Sequence, residues 1–198
     1  MNIHYLQIYN FAVRKLQKSE MARVKLLDKE FETSILAADI EQAAADVAAR
    51  ISRDLKDKNP IFLVVLNGAF MFAADLLRNV TIDCQISFVK LASYAGTQST
   101  GVMKHLIGVN EDLRGREVVI IEDIVDTGTT ITNIIEQVKA LGTDKIHVCT
   151  MLFKPEVCPK EKTPEYIGLN IPNAFIVGHG LDYDGYGRNL RDIYKIVE

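Results

Sequence analysis

Two adjacent acids, Glu122 and Asp123, close the apolar run Val118-Val119-Ile120-Ile121, and a third acid opens the stretch Asp126-Thr127-Gly128-Thr129-Thr130. Two carboxylates at the end of a buried strand are costly without a task, so they read as functional. Residues 127–130 supply backbone N–H groups, hydroxyls and a glycine that lets the backbone approach a ligand closely. That chemistry suits a dianionic phosphate at a helix start. The paired acids suit vicinal hydroxyls, a bound cation, or both. A phosphate cradle beside diol-binding acids describes a site for a ribose 5-phosphate. Other phosphate motifs fit less well. No Walker A run of glycine, four residues and Gly-Lys-Ser/Thr occurs. Asp123 and Asp126 have two residues between them, where a dehalogenase-like nucleophile motif needs one.

The elements around this stretch must hold it open at one end of a sheet. Apolar residues Ile40, Ala43, Ala44, Val47, Ala48, Ile51 and Leu55 recur at helical spacing over about 38–56. Asn59-Pro60 ends that helix. Residues 61–66 form a continuous apolar run, as a central parallel strand buried on both faces requires. A helix is expected over 70–78, strands over 86–91, 118–121, 146–153 and 174–177, and a helix over 131–141 that Gly142 ends. Alternating strands and helices predict an α/β fold with an open, mostly parallel sheet flanked by helices. Ligands of such sheets bind beyond the carboxyl ends of the strands, where every polar motif named here falls.

Composition narrows the class. A chain of 198 residues, 48% hydrophobic, can bury one sizeable core with a small hood. No apolar run is long enough for a membrane span. A net charge of -3 without a clustered Lys/Arg stripe argues against a nucleic-acid partner. Cys84, Cys149 and Cys158 form no CxxC pair, which fits reduced thiols in a cytoplasmic protein. Residues 1–20 differ from the rest and lack a secretory pattern, and Met21 opens a segment that fits a start better. Residues 1–20 are therefore expected to be an extension outside the fold, and 21–198 a single domain. An N-terminus at Met1 in the mass of the native protein would overturn a misassigned start.

The 122–130 pattern resembles the phosphoribosyl-pyrophosphate (PRPP) signature of type I phosphoribosyltransferases. Four further segments resemble the hypoxanthine–guanine phosphoribosyltransferase family. They are Leu66-Asn67-Gly68, Ser93-Tyr94 through Gly101, Phe153-Lys154, and Phe175-Ile176-Val177-Gly178 through Asp182-Tyr183 with Arg188. Order and spacing agree from about residue 36 onward. The resemblance implies transfer of phosphoribose from PRPP to a 6-oxopurine, with Mg2+ as cofactor and a homodimer or homotetramer as assembly.

It also implies roles. Asp126, Thr127, Gly128, Thr129 and Thr130 would hold the 5-phosphate, although some relatives carry lysine where Thr129 stands. Glu122 and Asp123 would accept hydrogen bonds from the ribose hydroxyls and join Asp182 in serving magnesium. Asp126 would be the general base or acid at purine N7, against the alternative of a helix N-cap. Lys154 would meet the 6-oxo group, being a donor-only side chain mismatched to adenine's amino group. Phe175 would stack on the base and the Ile176 backbone would read its edge, with Asp182 nearby on the same wall. Asn67, Gly68, Ser93, Tyr94 and Arg188 would bind pyrophosphate, Asn67 standing where many relatives have lysine. A non-proline cis peptide is implied before Gly68, and a mobile loop over 93–101. His179 would touch the purine pocket or simply fill space. A xanthine-preferring transferase and an RNA-binding regulator on the same fold are the alternative readings.

Overall fold

The run Ile61–Leu66 forms β3, whose first five residues are buried, and it occupies the middle of a six-stranded sheet. The computed structural model describes residues 22–93 and 104–197. Four strands run parallel with β3: β4 (Gln85–Ser93), β6 (Val118–Val125), β7 (Ile146–Phe153) and β8 (Tyr166–Asn170). β5 (Lys104–Ile107) adds an antiparallel edge, giving the order β5-β4-β3-β6-β7-β8. Alternation along β3 sends Phe62 and Val64 to one face and Ile61, Leu63 and Val65 to the other. The first face packs on α1 (Ala37–Asp54) and α2 (Phe70–Leu77) through Ile40, Val47, Ile51, Phe72 and Leu76. The second packs on α3 (Thr129–Ala140) through Ile131, Ile134 and Val138. The expected helices over 38–56, 70–78 and 131–141 lie within two residues of these bounds at each end.

A second, antiparallel sheet of order β1-β2-β10-β9 forms the hood. It joins β1 (Arg23–Leu26), β2 (Lys29–Ile35), β9 (Ile176–Val177) and β10 (Ile193–Ile196) over a small core of Phe31, Val177 and Tyr194. The expected strand over 174–177 is thus shorter and lies in the hood, not in the parallel sheet. A tight turn explains this: Ala174 N–H donates to Pro172 O at 2.9 Å, which delays extension until Ile176. β8 was not expected from the sequence either. Its Gly168 sits against Met151 O, which a Cβ would approach to 2.7 Å. Cys149 lies in the core, and Cys84, Cys149 and Cys158 are all free. Among the described residues no helix is long and apolar enough to cross a membrane.

The pole opposite the strand carboxyl ends carries a charged cluster. His147 Nδ1 lies 2.6 Å from Glu165 Oε2 and its Nε2 3.1 Å from Glu117 Oε2. Burial alone would lower its pKa, but the two carboxylates outweigh burial and hold it above 6.5. The imidazolium therefore stabilises the fold most fully below about pH 6.5, and this contribution fades as pH rises through the raised folded value. His147→Gln is expected to destabilise by about 1 kcal/mol at pH 5.5 and by little at pH 8.5. Urea midpoints of both proteins at the two pH values test this, and a pH-independent gap would contradict it.

Candidate active site

The carboxyl ends of β3, β6 and β7 and the hood loop over 178–188 converge. Glu122 and Asp123 lie inside β6 rather than after it, because the strand continues to Val125. Neighbouring strand residues point to opposite faces, so the two acids are not equivalent. Glu122 is buried, and burial, followed by the Asp123 charge, pushes its carboxyl well above the ordinary range. Burial also raises Asp123, opposed by the Ile124 N–H that donates to its Oδ1 at 2.8 Å and by the Arg188 charge.

The loop over 126–130 follows directly. A cavity of about 230 Å³ is lined by residues 122–131. Gly128 caps α3 with φ of 73°, a left-handed conformation that favours glycine, and a Cβ there would come within 2.8 Å of Lys162 Cδ. No side chain caps this helix, so Asp126 is not its N-cap. Helix N–H groups that lack a side-chain cap suit an exogenous anion. Thr127 and Thr129 hydroxyls lie 3.1 Å apart, and Thr130 follows in the first turn of α3. A larger cleft of about 760 Å³ lies between α1 and β8, but it has no glycine-bordered loop at a helix start.

Lys154, the residue after β7, is 6% exposed, and its Nζ donates to Asp126 Oδ2 at 2.8 Å and to Asn173 Oδ1 at 3.2 Å. Phe175 is 47% exposed and is not core; its ring meets Tyr183 edge-on at 5.9 Å and tilts against Phe31 at 6.3 Å. Phe175 O accepts from Ile196 N–H of β10 at 3.0 Å. Ile176 therefore turns its own N–H and C=O to the free edge of the hood sheet.

The peptide Leu66–Asn67 is cis. Gly68 packs so tightly on Asp123 that a Cβ would overlap its carboxylate, and a Cβ on Gly180 would overlap the Gly68 carbonyl. Arg188 donates to Gly180 O at 2.6 Å and pairs with Asp182 Oδ1 at 2.6 Å, while Asp182 Oδ2 accepts Gly185 N–H at 2.7 Å. Close contacts thus join Gly68, Asp123, Asp182 and Arg188 in one group, and Asp126 with Lys154 in another. Ser93 ends β4, and Tyr94 lies outside the described residues together with the rest of the expected loop.

Residues 33–184 match the phosphoribosyl transferase domain family. A hypoxanthine-guanine phosphoribosyltransferase of Streptococcus pneumoniae is 35% identical over 87% of this chain and 97% of its own. The Escherichia coli hypoxanthine phosphoribosyltransferase is 35% identical over 84% and 95%. The crystal structure of a hypoxanthine-guanine phosphoribosyltransferase from Bacillus anthracis superposes with a TM-score of 0.75 at 32% identity, covering 83% of this chain and 98% of that one. The chain belongs to the hypoxanthine–guanine phosphoribosyltransferase family.

Within this phosphoribosyltransferase, the contact made by Asn173 escaped the sequence, whereas His179 takes the second of its two expected roles. Asn173 follows a proline just before β9, and its side-chain oxygen accepts from Lys154. His179 faces α2, its Nε2 3.1 Å from Asp75 Oδ2 but not aligned for a hydrogen bond. It is buried, so it fills space beneath the hood loop. Gly68→Ala is expected to displace the Asp123 carboxylate and lower kcat/KM for PRPP about a hundredfold. Steady-state kinetics check this; wild-type values would mean that the Gly68–Asp123 contact is irrelevant to the site.

Proposed function

We propose that this chain transfers the 5-phosphoribosyl group of PRPP to hypoxanthine and guanine, releasing pyrophosphate and forming IMP or GMP in purine salvage. The observation that carries this reading is the Lys154 ammonium lying 2.8 Å from the Asp126 carboxylate at the mouth of the phosphate loop. A 6-oxopurine presents O6 and N7 side by side on one edge, whereas adenine puts an amino donor in place of O6. A buried ammonium donates to a carbonyl and has nothing to offer an amino donor.

In the free base one proton sits on the imidazole ring. As N9 bonds to the anomeric carbon and pyrophosphate departs, the N7 proton must leave, and Asp126 takes it. Lys154 holds O6, Phe175 stacks on the ring, and the free N–H and C=O of Ile176 read the far edge beside Asp182. Glu122 and Asp123 accept from the ribose hydroxyls, and negative charge on Asp123 favours the oxocarbenium-like transition state. Residues 126–130 grip the 5-phosphate. Asn67 and Gly68 main-chain groups, Ser93, Tyr94 and Arg188 hold pyrophosphate.

Oxygen donors around the Asp123–Asp182 group suit Mg2+, which takes one or two carboxylates plus substrate phosphates rather than a full protein cage. Bound magnesium would neutralise charge on the pyrophosphate. Glu122, Asp123 and Asp182 are the residues to hold it. Both Asp182 oxygens are already engaged, so Asp182 serves best through a bridging water. Assembly as a homodimer or homotetramer and a cytoplasmic location belong to the same reading; three free thiols favour the latter.

The test is a PRPP-dependent assay over hypoxanthine, guanine, xanthine, adenine and uracil, with and without magnesium. Nucleotide formation from the first two, dependent on magnesium, is expected. Turnover of xanthine alone, or of no base, would overturn the proposal.

A further inference from the structure

We infer that Asn173 is a positioning residue for base recognition: its side-chain carbonyl anchors Lys154 so that the remaining ammonium N–H faces the 6-oxo group. The inference rests on the purine reading of the Lys154 pocket. A lysine ammonium has three donors on a flexible four-carbon stem. Asp126 alone would leave it free to swing around the carboxylate. A second acceptor, Asn173 Oδ1 at 3.2 Å, comes from a different chain segment and fixes the nitrogen at two points. Two donors are then spent, and one is left for a ligand.

The surrounding backbone is built to hold Asn173 there. Ile171 N–H donates to Phe153 O at 2.8 Å, tying this segment to the residue before Lys154. Ala174 N–H donates to Pro172 O at 2.9 Å, which places Asn173 at the centre of a three-residue turn. Phe175 follows two residues later, so one short segment sets both the ammonium and the stacking wall. A neutral amide suits the position. It accepts from the ammonium without adding a second negative charge that would compete with the carbonyl for it.

Asn173 is exposed, so its replacement leaves the fold intact, and a melting temperature unchanged between variants accompanies each measurement. Asn173→Ala is expected to lower kcat/KM for hypoxanthine about tenfold, mostly through the base KM, with PRPP KM altered less than about twofold. IMP affinity should fall by a similar factor and ribose 5-phosphate affinity should not. Asn173→Asp keeps an acceptor but adds the competing charge, so hypoxanthine KM should recover only in part, to a value between Asn173→Ala and wild type. In a Lys154→Gln background, Asn173→Ala should add no further loss, because the two residues act as one unit. Equal losses for PRPP and base, full additivity with Lys154→Gln, or no loss in Asn173→Ala would each overturn the inference. If wild-type protein fails to use hypoxanthine at all, the purine reading fails instead.

Discussion

Asp126→Asn is expected to lower kcat for hypoxanthine by about 10²–10⁴-fold while PRPP affinity changes less than about threefold. The asymmetry follows from position. Asp126 opens the 126–130 loop, but on the proposed reading the grip on phosphate would come from backbone N–H groups at the uncapped start of α3 and from the threonine hydroxyls. Asparagine keeps the shape and can still accept from Lys154, so the ground-state arrangement survives. What it cannot do is accept the N7 proton. The loss therefore falls on the chemical step. Single-turnover kinetics with calorimetric PRPP binding separate the two quantities. Parallel losses in both would show Asp126 to be a structural member of the loop.

Lys154→Gln attacks selectivity. A site built around a buried hydrogen bond rejects the mismatched ligand by about 10⁴-fold, and glutamine should reduce discrimination against adenine to about 10²-fold or less. Its amide can donate to a carbonyl or accept from an amino group, so it no longer penalises adenine. Hypoxanthine turnover should fall as well, because a charge-assisted hydrogen bond is replaced by a neutral one. The ratio of kcat/KM for the two bases is the decisive measurement. An unchanged ratio with reduced overall activity would mean that Lys154 serves Asp126 and does not read the base.

The parallel sheet was legible because its strands announce themselves. Ile61–Leu66 begins and ends where its apolar run does, since it is buried against layers on both faces. The acids of β6 were legible as an anomaly, carboxylates where burial penalises them. The hood was not. Arg23–Leu26 and Lys29–Ile35 are short, rich in charge and buried on one side at most, and β2 finds its partner β10 only near residue 193. Register with so distant a segment leaves no local signal. The same holds for Asn173, whose meaning depends on a lysine nineteen positions earlier in the chain. The tight packing of Gly68 on Asp123 was equally invisible, because a glycine after a strand predicts a turn and says nothing of its neighbours.

Pairing of β2 with β10 bears on how a newly made molecule becomes active. Strands β3 to β7 all end by Phe153 and leave the ribosome well before β10, so they can begin to associate first, although β3 must reach past β4 and β5 to pair with β6. The hood cannot, because residues 29–35 must wait for residues 193–196 to leave the ribosome. Phe175 meets β10 only at that final closure, so on the proposed reading a nascent polypeptide would carry its anion loop before the wall that stacks the base is in place.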